Sequence, residues 1–91
     1  MVLTEKKAVP VIQLLVKNAV EIIKEDTGVS VPEIEIFDEL SDIEWIIEAG
    51  INENDEYLIN INTVVNQLDR IIDRTEKNIF DEREDEENVN F

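Results

Sequence analysis

The long run without a positive charge is the feature that most constrains this chain. Residues 25–69 hold thirteen Asp and Glu and no Lys or Arg. Such a stretch cannot pair its own charges, so whatever forms there must present an unbalanced acidic surface. Residues 1–24 carry four Lys against two acids, and residues 25–91 carry four cations against twenty-one acids, for a net charge of −15. Basic partners, or bound cations, are the expected electrostatic counterparts.

The composition also excludes whole classes of function. The 91 residues include no Cys and no His, which removes disulfides, thiol catalysis, Cys- or His-ligated metal and imidazole acid–base chemistry. A pI near 4.1 argues against direct binding to nucleic acid or to an anionic membrane, since both are polyanions. No apolar run approaches the roughly 20 residues that span a bilayer. We therefore expect a cytoplasmic protein that is not an enzyme and holds no cofactor.

A first helix is predicted from apolar residues at helical spacing in the N-terminal third. Pro10 fits the first helical turn, which predicts a helix over residues 10–26, or one from residue 5 if a kink accommodates Pro10. Gly28 is a natural left-handed stop for this helix.

Three strands are predicted next. Residues 33–37 alternate strictly and place Ile34 and Ile36 inward, and residues 43–49 and 57–62 alternate as well. The Gly, Asn and Asp between the last two runs predict a turn over residues 50–55, which would join them into an antiparallel hairpin.

A second helix, capped by Asn62 or Thr63, completes the predicted order of elements. The expected fold class is α+β, with a helix, a three-stranded mainly antiparallel sheet and a helix (α-β-β-β-α). It forms a single domain over residues 1–80, followed by an acidic tail over residues 81–91.

The outward face of the predicted sheet is the first candidate binding surface. Acids with interleaved apolar residues form it: Glu33, Glu35, Phe37, Glu44, Ile46, Glu48 and Leu58. One interpretation is a solubility surface. The other is an interaction face for a cationic partner, because charge steers association while apolar anchors supply affinity.

Two chemical alternatives find little support. Paired carboxylates are used by glycosidases, but solvated acids on a strand face lack the apolar pocket that raises one pKa. The turn over residues 52–56 has alternating oxygen ligands like a Ca²⁺ loop, but Tyr57 stands where that loop requires Gly. Weak, adventitious cation binding is the expectation there, and no metal site is predicted.

Residues 57–73 carry a family resemblance. A hydrophobic strand ending in Asn leads into a helix, which resembles the strand-into-helix unit of zincin-like metallopeptidases. At the positions where that family has the His, Glu and His of its H-E-x-x-H motif, this chain has Asn66, Gln67 and Arg70. The resemblance implies a degenerate minimal zincin-like domain that lacks the zinc ligands and the general base, and so is catalytically inactive.

The sequence as a whole predicts a small acidic protein that acts by binding. The favoured role is an inhibitor or adaptor of a basic protein, one that itself binds nucleic acid, of the kind that viruses and mobile elements encode. One alternative is an inactive zincin-like domain kept as a scaffold. Another is a structural homo-oligomer whose subunit interface is the apolar part of the sheet face.

The charge imbalance predicts how stability depends on solvent. Self-repulsion among 23 acids and 8 cations destabilises the compact state and is screened over about 8–10 Å at physiological salt. Raising NaCl from about 0.02 to about 0.5 M, or lowering the pH to about 5, should therefore raise the melting temperature measured by circular dichroism. A flat or falling melting temperature across the salt series would show that the charges are already compensated.

Overall fold

The computed structural model of the chain describes residues 1–40 and 50–89. Two short strands and three helices make up this part. In chain order they are β1 (Val2–Thr4), α1 (Glu5–Thr27), α2 (Glu33–Glu39), β2 (Leu58–Asn60) and α3 (Ile61–Val89). The fold is mainly helical, and the sheet in the described part has two strands.

The predicted α-β-β-β-α order with a three-stranded sheet is therefore wrong. Residues 33–37, predicted as the first strand, form the beginning of α2. The second predicted strand, residues 43–49, lies outside the described residues. The third, residues 57–62, is shortened to β2, which pairs with the N-terminal segment of the chain.

Local and tertiary signals explain why residues 33–39 are helical. Pro32 precedes the helix with φ −63° and ψ 140°, and the acids of the first turn suit the positive end of the helix dipole. Ile36 and Leu40, four residues apart, are both buried in the core. Ile34, which a strand would have turned inward, is 64% exposed. A five-residue alternation fits either structure, and the spacing from Ile36 to Leu40 decides for the helix.

The sheet ties the N-terminus of the chain to the start of α3. β1 and β2 are antiparallel, with the cross-strand pairs Val2–Asn60, Leu3–Ile59 and Thr4–Leu58. Backbone bonds flank these pairs, since the Ile61 N–H donates to the Met1 carbonyl at 2.9 Å and the Glu5 N–H donates to the Tyr57 carbonyl at 3.0 Å. Each long helix begins directly after one of these strands. The sheet therefore sets the starting points of α1 and α3 side by side.

α1 and α3 run in the same direction and pack lengthwise on each other. Both leave the sheet, and at the far end of α1 the Arg83 guanidinium donates to the Thr27 carbonyl. One face of each helix is buried, with residues three or four positions apart. Together with residues of α2 and the sheet they form the core: Ala8, Ile12, Val16, Ala19, Ile23, Ile36, Leu40, Ile59, Ile61, Val64, Leu68 and Ile71.

The ends of these helices follow recognisable cap chemistry. α1 begins at Glu5 and includes Pro10, so the earlier of the two predicted starts, residue 5, is the one observed. Gly28 adopts φ 77° and ψ 1° and its N–H donates to the Lys24 carbonyl, which confirms the predicted left-handed stop. α3 is capped by Asn60, whose Oδ1 accepts from the Asn62 N–H at 3.0 Å. The cap therefore lies two residues before Asn62, the earlier of the two predicted caps.

The predicted turn over residues 50–55 is confirmed. Ile51 and Tyr57 form an antiparallel bridge, and the Leu58 N–H donates to the Gly50 carbonyl at 3.0 Å. Inside the turn, Asn52 Oδ1 accepts from the backbone N–H groups of Asn54 and Glu56, each at 2.9 Å. That side-chain oxygen is thus used by the turn itself, so the resemblance of this segment to a cation-binding loop loses its first ligand.

A truncation in the contact between α1 and α3 should destabilise the fold strongly. Ile23 is fully buried there, so Ile23→Ala should lower the free energy of unfolding by about 2–5 kcal/mol through lost burial and a residual cavity. Leu14→Ala on the same helix is the matched control, because Leu14 is 68% exposed and its truncation should cost less than about 0.5 kcal/mol. Urea unfolding followed by circular dichroism gives both values. Equal losses would contradict the assignment of the buried face.

Candidate functional site

The residues of the predicted sheet face do not share one face in the structure. Glu33 and Glu35 are exposed on α2, and Phe37 on the same helix is half-buried against the core. Leu58 is half-buried in β2. Glu44, Ile46 and Glu48 lie outside the described residues. The expected sheet face fails for α2, because a helix places Glu35 on a different side from Glu33 and Phe37, which are four residues apart, whereas a strand would have aligned all three.

A groove between α2 and α3 brings acids and apolar side chains together. We call it the acidic groove. It encloses about 370 Å³. Three segments line it: the 29–32 connection, one side of α2 and one side of α3. The lining residues are Val29, Ser30, Val31, Pro32, Glu35, Glu39, Thr75, Asn78, Ile79 and Glu82.

The local sequence explains how each segment reaches the acidic groove. The residue before Pro32 avoids the helical region of the backbone. The 29–32 connection, which leads from α1 into α2, is therefore extended. Glu35 and Glu39 are four residues apart on α2 and share a side of it. Thr75, Ile79 and Glu82 recur at helical spacing on α3 in the same way.

The charge of the acidic groove is unbalanced. Its rim carries Glu35, Glu39 and Glu82, and none of its lining residues is a cation. Arg74, next to it on α3, has its guanidinium 3.6 Å from Glu39 Oε2, with the two side chains 60% and 44% exposed. An ion pair this exposed contributes at most about 1 kcal/mol. With Arg74 counted, the carboxylates of the lining still exceed this neighbouring cation by two.

Arg83 connects α3 to the end of α1. Its guanidinium donates to the Thr27 carbonyl and lies over the Phe80 ring, 5.8 Å from the ring centroid. Cations near a helix C-terminus also interact favourably with its partial negative charge. Because Glu82 is the residue before Arg83, these contacts help to keep Glu82 on the rim of the acidic groove.

A second acidic feature lies between the end of α1 and α3. Desolvation raises the pKa of Glu76, and a hydrogen bond to Asp26 and the charges of Asp26 and Asp73 raise it further. Glu76 Oε1 is buried, and in the described part of the chain it has no hydrogen-bond partner. A protonated Glu76 can donate to Asp26, whereas an ionised one is repelled by it. This carboxyl pair does not line the acidic groove.

The three residues of the degenerate motif lie together near the start of α3. Asn66 and Arg70 are exposed, four residues apart, and Gln67 is half-buried. Within residues 1–40 and 50–83, no group of three or more carboxylates is arranged to hold a metal ion. The resemblance to zincin-like domains stays a prediction.

Comparisons with known proteins give no assignment. No family model matches the sequence, and neither a curated protein nor a solved structure matches it. Among the described helices, none has the length and apolar character needed to cross a membrane.

Sequence reasoning named Glu35 as a binding residue but missed the acidic groove around it. Glu39 and Glu82 join Glu35 only through the packing of α2 beside α3. A usable signal was present, since Pro32 at a helix start and apolar residues at 36 and 40 indicate a short helix that exposes both of its last two glutamates.

The raised pKa of Glu76 predicts that removing its charge stabilises the folded protein, by an amount that depends on pH. Because the pKa of Glu76 is raised in the folded chain, its contribution to stability is greatest below the ordinary carboxyl pKa and is lost as the pH rises through the raised value. Glu76→Gln should therefore stabilise the protein at pH 7 by about 1 kcal/mol, since the amide donates to Asp26 without charge, and the gain should shrink towards about pH 4. Urea unfolding at several pH values measures this.

Asp81→Asn is the control for that experiment. It removes the same charge from an exposed position on α3. An equal gain from Asp81→Asn would show that the effect arises from net charge and not from the pair.

Proposed function

We propose that this chain is a non-catalytic binding protein that acts as an inhibitor or adaptor of a basic protein. The observation that carries the proposal is the acidic groove, whose lining combines apolar side chains with three carboxylates and includes no cation. Glutamates around an apolar surface are suited to a cationic partner, because the field steers the approach and the buried apolar contact slows dissociation.

The charge of the whole chain supports a basic partner. Eight cations stand against 23 acids, and within residues 1–40 and 50–83 the one ion pair closer than 4.0 Å is Arg74–Glu39. Most acids therefore remain available to interact with a positively charged surface. The same field repels polyanions, so direct binding to nucleic acid is disfavoured.

The titratable groups support binding more than catalysis. The chain has no His or Cys to act as a base or nucleophile near pH 7. Glu76, beside Asp26, has the kind of raised pKa that acid–base chemistry uses, but neither residue lines the acidic groove.

Binding to a basic protein should depend steeply on salt. We expect the chain to bind an immobilised core histone at about 0.1 M salt, and to lose at least about tenfold in affinity at about 1 M, as the screening length falls from about 10 to about 3 Å. Biolayer interferometry measures both affinities. Duplex DNA is the control and should show no binding at either salt concentration. No binding to the histone at low salt, or binding that salt does not change, would contradict the proposal.

A further inference from the structure

We infer that the acidic groove binds a short amphipathic segment of the partner, one that carries arginines beside an apolar side chain. The inference rests on the proposed function and deepens it, since it assigns the site and the chemistry of its occupant. Three features of the acidic groove lead to it: its apolar lining, the spacing of its glutamates and its relation to Arg74.

The apolar lining calls for an apolar group on the occupant. Val29, Val31 and Ile79 line the acidic groove and are each half-buried, so part of their surface remains in contact with solvent. A free polyamine or a purely cationic chain would leave these apolar side chains exposed to water. An apolar side chain flanked by cations would cover it.

The spacing of the glutamates suits a partner segment with repeated cations. Glu35 and Glu39, four residues apart on one side of α2, have Cβ atoms about 5–6 Å apart. Two cations four residues apart on a partner helix have the same separation, so both pairs can form together. Glu82 on α3 closes the opposite wall and offers a third carboxylate to a neighbouring cation.

Arg74 indicates which cation the rim accepts. Its guanidinium already lies 3.6 Å from Glu39 Oε2 on an exposed surface, so an arginine of a partner would replace a contact that the chain makes with itself. Because that pair is exposed, replacing it costs little. A guanidinium also bonds carboxylates through a planar fork and is more weakly hydrated than an ammonium group. We therefore expect arginine to be preferred over lysine.

The test uses the whole chain and three synthetic peptides. The first is a short amphipathic helix of arginines and leucines, the second has lysine in place of each arginine, and the third has serine in place of each leucine. Titrations followed by ¹H–¹⁵N correlation spectra should move the amide signals of Val31, Glu35, Glu39 and Ile79 most. The arginine–leucine peptide should bind at least about threefold more tightly than either of the others.

Two double variants with the same change in charge locate the site. Glu35→Gln/Glu39→Gln removes the pair on the acidic groove, and should weaken binding of the arginine–leucine peptide about tenfold. Glu21→Gln/Glu25→Gln removes two exposed glutamates with identical spacing on α1, and should weaken it less than about twofold. Circular dichroism confirms that both variants are folded.

The outcomes separate this inference from the proposed function. Equal losses in the two double variants, or signal changes spread over all acidic surfaces, would overturn the assignment of the acidic groove while leaving a basic partner in place. Equal affinity for all three peptides would overturn the stated chemistry of the occupant. A wild-type chain that binds neither these peptides nor a basic protein at low salt would overturn the proposed function itself.

Discussion

The apolar contact between α1 and α3 holds together a chain whose charges repel one another. Helical propensity alone does not stabilise isolated helices in water, so the buried faces of α1 and α3 must supply most of the stabilisation. Ile23, Val16 and Val64 are fully buried in this contact, and acids occupy the surface around it. The exposed positions can therefore carry an excess of one sign only as long as the apolar contact outweighs the repulsion.

The separation of buried apolar faces from exposed acidic positions explains where the acidic groove lies. α2 is too short to be stable alone, and Ile36 and Leu40 anchor it to the two long helices. Once that face is buried, Glu35 and Glu39 must point elsewhere, and the neighbouring helix supplies the opposite wall with Glu82. A helix that is anchored on one face and charged on the other thus creates a binding surface as a by-product of its own burial.

The parts that could be predicted from sequence are those with a long or chemically specific signal. α1 repeats its apolar spacing over many turns, and Gly28 is suited to the left-handed conformation that ends it. Two features lacked such signals. β1 is three residues long, and the alternation of residues 33–37 fits a strand as well as a helix, so that only the short signal of Pro32 and of the spacing between Ile36 and Leu40 favours the helix. The acidic groove depends on which elements pack together, so only Glu35 of its three glutamates could be named in advance.

The pairing of β1 with β2 has a consequence for the order in which the chain folds. The paired residues are far apart in sequence, Thr4 with Leu58 and Val2 with Asn60, so the sheet closes a loop of more than 50 residues. The length-dependent part of the entropy lost in closing such a loop is about 3.5 kcal/mol, and two three-residue strands recover little of it by themselves. Helical turns form from local contacts within about a microsecond, long before such distant segments meet. β1 should therefore pair with β2 last, after α1 and α3 have packed together. The backbone amides of β1 should be among the first to exchange with solvent when the native protein opens locally.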